Sequence, residues 1–171
     1  TKEELGGSKI HSQNGVADNI AEDETDAFKQ IRQFLDFFPQ NIYEIPERKL
    51  SEDPINREQE ELLSIVPKDR KKSYEMRDII KYVFDEASFF EMTKFFGRGI
   101  ITGFARINGY SVGILANDSN FYAGSMSADG AKKTARFVRT CDTFNIPIVS
   151  LVDEPGFLIG PEAESQATIL Y

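Results

Sequence analysis

An α/β layer is predicted by three features that follow one another along the chain. They are an Asn108-Gly109 hairpin signal, an amphipathic pattern over Ser127 to Phe144, and the apolar run Ile146-Pro147-Ile148-Val149-Ser150-Leu151-Val152. Asn-Gly between apolar stretches marks a two-residue hairpin, because both residues accept the positive φ that a type I′ turn demands. A nearly continuous apolar run has no solvent face and suits a strand buried in a parallel sheet; Pro147 at its start removes no central ladder bond. Hairpin, helix and buried strand together make an α/β layer.

The elements follow in order. Residues 1–23 are polar and turn-rich, punctuated by Gly6-Gly7 and Asn14-Gly15. From Glu24 the spacing predicts a helix whose apolar face holds Phe28, Ile31, Leu35 and Phe38, widened by Phe34. Glu22, Asp23, Glu24 and Asp26 crowd its first turn, where the helix dipole favours acid, and Pro39 ends it. Pro39, Pro46, Pro54 and Pro67 then run through charged sequence that closes on Lys68-Asp69-Arg70-Lys71-Lys72. This stretch reads as an interdomain connection or as one long surface excursion. Ser73 can cap a short helix with Met76, Ile79, Ile80 and Val83 on its apolar face. Gly99–Ile107 and Tyr110–Ala116 are the two hairpin strands, and the helix from Ser127 sets Ala131, Ala135, Val138 and Cys141 on one side.

Composition narrows the function. The 171 residues carry 28 acidic and 20 basic side chains, a net charge of −8, with 40% hydrophobic and 12% aromatic residues, enough for a real core. One Cys and one His exclude a disulfide scaffold and a zinc finger. No apolar run approaches the ~18–20 residues of a membrane span, and the overall acidity argues against nucleic acid as the main partner. Residues 66–140 are locally basic, with 13 basic against 8 acidic side chains. That region either steers an anionic ligand or is a solvated surface with chance clustering. The chain starts at Thr1 and stops at Ile169-Leu170-Tyr171 within a helical pattern, so a segment of a larger protein is expected.

The loop Asp153-Glu154-Pro155-Gly156-Phe157-Leu158-Ile159-Gly160-Pro161-Glu162-Ala163-Glu164 is the most loaded position, because ligands of α/β sheets bind beyond strand carboxyl ends. Its glycines let backbone approach a ligand, while Phe157 is either a flat apolar wall or a core plug. Asp153-x-x-Gly156 also resembles the magnesium-side motif of a GTPase, but no Gly-Lys phosphate cradle accompanies it. Gly97-x-Gly99 precedes a strand rather than following one, so it makes a poor dinucleotide fingerprint. His11 reads as a turn or surface imidazole, Cys141 as a buried structural thiol, and Glu162 with Glu164 as first-turn acids of a following helix. No metal site and no catalytic side chain is predicted; any catalysis would rest on backbone donors.

Asp153–Glu164, taken with Ala135-Arg136-Phe137-Val138-Arg139 and Cys141-Asp142-Thr143-Phe144-Asn145-Ile146-Pro147, resembles the carboxyltransferase (β) subunits of biotin-dependent acyl-CoA carboxylases, the propionyl-CoA and methylcrotonyl-CoA type. Gly103-Phe104-Ala105-Arg106-Ile107-Asn108-Gly109, Val112-Gly113-Ile114-Leu115-Ala116-Asn117, Tyr122-Ala123-Gly124-Ser125-Met126 and Ala128–Lys133 extend the likeness, as do Glu4–Ser8, His11 and Asn14–Asp18. Glu154 stands where a small or β-branched residue is common, and Ile159-Gly160-Pro161 replaces a frequent Pro-Gly-Thr.

The resemblance implies two crotonase-like lobes. Residues 1–40 would end the first, 41–72 would link them, and 73–171 would begin the second. It implies carboxyl transfer from carboxybiotin to the α-carbon of an acyl-CoA thioester, with biotin as cofactor and acyl-CoA as substrate. A biotin carboxylase or biotin carrier subunit would be the partner, and the active site would lie at a dimer interface of a homo-oligomer. Asp153, Pro155, Gly156, Phe157 and Gly160 would line the biotin side, with Asn117, Ala123 and Gly124 as a pocket floor. The Gly-Gly-Ala turns of the family's oxyanion holes fall outside these residues, so the segment alone is expected to be inactive. A cytoplasmic location is implied, or the mitochondrial matrix in a eukaryote. A related transcarboxylase or decarboxylase subunit is the alternative, and a non-catalytic scaffold of the same fold stands further off.

Overall fold

The structure, a computed structural model, describes residues 1–69 and 71–171. Arg70, within the basic run that closes the expected linker, lies outside them.

The hairpin is the organising unit. β1 (Phe90–Met92), β2 (Ile100–Ile107), β3 (Tyr110–Asn117) and β4 (Ile148–Leu151) form one sheet in the order β1-β2-β3-β4. β1–β2 and β2–β3 are antiparallel and β3–β4 is parallel, so the sheet is mixed. β2 and β3 pair without interruption from Ile107↔Tyr110 to Ile100↔Asn117. Asn108 and Gly109 take φ of 50° and 78°, as the type I′ turn requires. Asp85 accepts hydrogen bonds from both of their N–H groups, at 2.8 and 2.7 Å. β1 has no signature in the sequence because three residues cannot display an alternation.

Each face of the sheet carries a helix. Alternate residues Ile101, Ala105, Val112 and Ile114 pack on one face against Met76, Ile80 and Phe84 from α4 (Met76–Val83) and its C-cap. On the other face Phe104 meets Phe137 and Cys141 of α5 (Ala128–Thr143), joined by Phe37 and Ile146. α5 supplies the crossover that a parallel β3–β4 pair needs. It approaches closely at Gly113, where a Cβ would lie 2.7 Å from Cys141 Sγ. Ser127 caps α5 by accepting from Gly130 N–H at 3.1 Å. Lys133 of α5 is 2% exposed and donates to the carbonyls of Thr93, Phe96 and Ile100 at 2.9, 3.1 and 2.6 Å.

Several local expectations are revised. α3 (Glu24–Leu35) forms where predicted, with Asp23 as its cap, but turned: Phe28, Ile31 and Leu35 are 54%, 52% and 58% exposed. The buried aromatics are Phe37 and, in part, Phe34 and Phe38, set around Phe104 at ring-centroid distances of 5.0–5.9 Å. The cause lies just past the helix end. Phe37 and Phe38 are delivered by a turn closed through Phe37 N–H to Phe34 O, and Arg106 holds that turn by donating to Asp36 O at 2.7 Å. α4 is capped by the Glu75 carboxylate rather than by Ser73. β4 is parallel to β3 as expected, yet it is an edge strand, half exposed rather than buried. Residues 1–23 contain two short helices, α1 (Lys2–Gly6) and α2 (Ser8–Gln13), in place of turns alone. Asn19 and Asp18 fasten this region to β1, through Glu91 O and Thr93 Oγ1.

Between 39 and 72 the only regular piece among the described residues is the 3-10 turn Glu60–Leu63. The stretch is nonetheless pinned along the body. Arg48 donates to Asn108 O, Lys49 N–H to Gly109 O, and Arg57 to Tyr82 O and Phe84 O.

Candidate functional site

β3 and β4 run parallel, so their carboxyl ends open on the same rim and the loops that follow them meet there. The first predicted group is drawn together at this point. Asn117, the last residue of β3, accepts from Asp153 N–H at 3.2 Å and donates to Gly124 O at 3.0 Å. Its amide thereby braces the two loops. Gly124 takes φ +80°, and a Cβ there would come within 2.6 Å of Asp153 O, so only glycine allows this approach. Ala123 also sits in the left-handed region, at φ 51° and ψ 33°, with its side chain exposed.

Beyond Asp153 the loop leans outward. It is attached by a short parallel bridge in which Met126 N–H donates to Gly156 O at 3.0 Å and Leu158 N–H to Met126 O at 2.8 Å. Phe157 is 55% exposed, a wall rather than a core plug. Gly156 and Gly160 take φ of 133° and 126°, and nothing lies within 4 Å of where a Cβ would stand on either. Glycine is therefore required by backbone conformation, and the bare face it leaves is open to a ligand. Pro155 is exposed beside it. Gly160 further lines a cleft of about 620 Å³ walled by Phe95, Arg98, Phe121 and Leu158, with the Arg98 guanidinium 3.8 Å from the Phe121 ring centroid. Gly160 leads into α6 (Pro161–Ser165), with Pro161 in its first turn and Glu162 and Glu164 placed as first-turn acids.

Two residues at this rim, Tyr74 and Arg77, carried no signal in the sequence. Tyr74 donates its hydroxyl to Asp153 Oδ2 at 2.6 Å across 79 positions of chain. Burial, reinforced by that carboxylate, raises its pKa above the ordinary tyrosine value, so the hydroxyl stays a donor. Arg77 grips Glu91 at 2.9 and 2.6 Å and the fully buried Asp118 at 2.7 Å, tying the start of α4 to β1 and to the end of β3. Nothing in the local pattern around Ser73–Arg77 marks these roles, which depend on contacts distant in sequence.

The titratable side chains do not assemble a nucleophile–base pair. Cys141 is 0% exposed, and burial pushes its thiol up to about 12. His11 lies in the last turn of α2 with its Nε2 turned to Gly6 and its Nδ1 buried without a hydrogen-bond partner among the described residues. Among the described residues no group of three or more His, Cys, Asp or Glu side chains could hold a metal. What the rim offers is exposed backbone, a flat aromatic face and rigidly held loop roots.

The fold is shared with solved carboxyltransferases. Transcarboxylase 12S, solved with methylmalonyl-coenzyme A and methylmalonic acid bound, superimposes with a TM-score of 0.94 at 38% identity, over 99% of this chain and 32% of that one. A single-chain, multi-domain long-chain acyl-CoA carboxylase gives 0.86 at 29% identity, over 99% and 17%. The fold is thus the crotonase-like α/β class expected. Residues 1–170 match the carboxyl transferase domain, and the chain belongs to that family. It is 43% identical over 170 residues to the propionyl-CoA carboxylase carboxyltransferase subunit of Haloferax mediterranei, covering 99% of this chain and 33% of the relative. It is 44% identical over 166 residues to the methylmalonyl-CoA decarboxylase subunit alpha of Veillonella parvula, covering 96% and 32%. The chain spans about a third of the length of the curated relatives it matches.

Proposed function

We propose that this chain is the central part of a carboxyltransferase subunit that moves a carboxyl group from carboxybiotin to the α-carbon of an acyl-CoA thioester. The observation that carries the reading is the Asp153–Gly160 loop, set on the rim of the parallel pair in a member of the carboxyl transferase family. The loop suits a flat bicyclic ring: Gly156 and Gly160 leave open space where side chains would stand, and Phe157 presents an exposed aromatic face beside them. When bound, carboxybiotin supplies the carboxyl group to be transferred and a ureido nitrogen able to take the α-proton. In this chain Phe157 and the Pro155-Gly156 backbone bind and orient that ring. Asp153, Asn117 and Gly124 hold the root of the loop from behind. Stabilisation of the thioester enolate falls to paired backbone N–H groups outside these residues, so the segment by itself has no complete site.

On this reading residues 1–40 close a first lobe, 41–72 connect and 73–171 open a second. The support is the irregular, proline-punctuated course of the middle stretch. A biotin carrier partner and a homo-oligomer with the site shared between subunits belong to the same proposal; the solved relative's hexamer assembly supports the oligomer. Relatives described as mitochondrial support the mitochondrial matrix for a eukaryotic source, and a cytoplasmic location otherwise belongs to the same proposal.

The test is carboxylation of short acyl-CoAs by the full-length subunit with its biotin carrier partner, followed as labelled bicarbonate fixed into acid-stable product. Turnover with one of them is expected; no turnover and no CoA binding would overturn the proposal. A decarboxylase is the second reading, favoured by the 44% identity to the Veillonella parvula subunit. Net release of CO2 from methylmalonyl-CoA without ATP would establish it.

A further inference from the structure

We propose that Tyr74 is a positioning residue for the carboxyl-donor side of the site, setting the course of the Pro155–Gly160 loop through its hydrogen bond to Asp153. The inference rests on the functional reading above. Tyr74 is built as a strut. Its ring packs against the Met76–Ile80–Phe84 core cluster, so the body of the side chain is fixed by the same contacts that hold α4 to the sheet. Its backbone is locked to the loop after β3: Tyr74 N–H donates to Ser119 Oγ at 3.3 Å, and Tyr74 O accepts from Ser119 Oγ at 3.2 Å and Asn120 Nδ2 at 3.4 Å. Three residues on, Arg77 fastens the same turn to Asp118. The hydroxyl therefore arrives at Asp153 from a rigid base, and a tyrosine has only two side-chain torsions to freeze.

Asp153 is the point where such a strut has most effect. Its N–H is held by Asn117, its carbonyl presses on Gly124, and its carboxylate has Tyr74 as its donor. Past it, the only backbone hydrogen bonds that residues 154–159 make to the rest of the fold among the described residues are the two to Met126. Gly156 and Gly160 have no packing at the Cβ position to stiffen them. The direction in which the loop leaves β4 is thus determined at its root. Without the hydroxyl, the Asp153 carboxylate loses its donor among the described residues and turns to solvent, and the root of the loop is left with only the Asn117 bond to Asp153 N–H to set its course. The ring of Phe in place of Tyr74 keeps the core contact, so the effect is local.

Tyr74→Phe, Asp153→Ala and the double variant are to be compared in the full-length subunit with its biotin carrier partner. The expected result for Y74F is a KM for the carboxylated carrier raised about tenfold, the equivalent of one charge-assisted hydrogen bond. The KM for acyl-CoA should stay within about twofold and the thermal midpoint within about 2 °C, since the ring contact survives. The double variant should be no worse than D153A alone, because both single changes remove the same hydrogen bond. Unchanged donor KM in Y74F, multiplying effects in the double variant, or parallel loss of both KM values with thermal stability would each overturn the proposal. An inactive wild type defeats the functional reading instead, so the two failures are distinguishable.

Discussion

Lys133 offers the most quantitative test of how the two faces of the sheet are joined. Its ammonium group lies at 2% exposure with three backbone carbonyls as its acceptors, so all three protons are used. Those carbonyls belong to Thr93, Phe96 and Ile100, the turn that carries the chain from β1 into β2. Lys133→Met keeps length and volume but strands three buried acceptors, each worth about 1–3 kcal/mol when left unpaired. Part of that loss is offset, because the charge no longer has to be buried. Burial lowers the Lys133 pKa from an ordinary 10.5 to about 8, which corresponds to about 3 kcal/mol against the charged form. At the middle of that range the three acceptors cost about 6 kcal/mol, so the net destabilisation at pH 7 is about 3 kcal/mol.

The sign of the pH dependence is fixed by the same numbers. A lysine with a depressed folded-state pKa binds fewer protons folded than unfolded between about 8 and 10.5, so stability from this group rises with pH across that window and is lost as pH falls through about 8. By pH 9.5 the wild type gains about 2 kcal/mol that the methionine variant cannot. Groups common to both proteins cancel in the difference. Urea unfolding at pH 7 and 9.5, followed by far-ultraviolet circular dichroism because the chain has no Trp, measures both gaps. A gap under about 0.5 kcal/mol at pH 7, or one that narrows at pH 9.5, would refute the reasoning.

Two further outcomes follow from the packing. Phe37→Ala, at a 3% exposed position stacked on Phe104, should destabilise by about 3–5 kcal/mol, whereas Phe28→Ala, at a 54% exposed position on α3, should change stability by less than about 1 kcal/mol in the same urea titration. Cys141, wholly buried and with its thiol pushed up to about 12, should resist a disulfide reagent at pH 8 in the folded chain; its labelling rate should rise with urea in step with unfolding.

The parts of this fold legible in the sequence were those set by neighbours in the chain. Asn108-Gly109 dictates its turn through its own φ preferences, and Ser127 caps its helix through a bond three residues long. The Asp153–Gly160 loop stood out because glycines and a strand end coincide, although the cleft beyond it also draws on Phe95, Arg98 and Phe121. What periodicity could not reveal is which apolar residues win the competition for the interior. Phe28, Ile31 and Leu35 have good helical spacing, yet Phe37 and Phe38, just past the helix, take the place beside Phe104 because Arg106 anchors Asp36 there. β4, nearly continuously apolar, reads as a buried strand because sequence reports hydrophobicity, while burial depends on what lies beyond the strand. The Tyr74–Asp153 bond joins residues 79 positions apart and has no local signature.

The position of β4 at the end of the sheet has a consequence for the chain as a material. Among the described residues β4 is bonded on one side only, to β3, and a strand edge of this kind is a template for any extended segment that meets it. The row is short, four residues from Ile148 to Leu151, and it begins after Pro147, which has no N–H to offer. Asp153 and Glu154 follow almost at once, placing negative charge where a second copy of the same strand would have to align. Self-templating into fibrous stacks is thereby opposed at both ends of the strand by proline and by charge, while the middle remains able to receive a strand of complementary pattern.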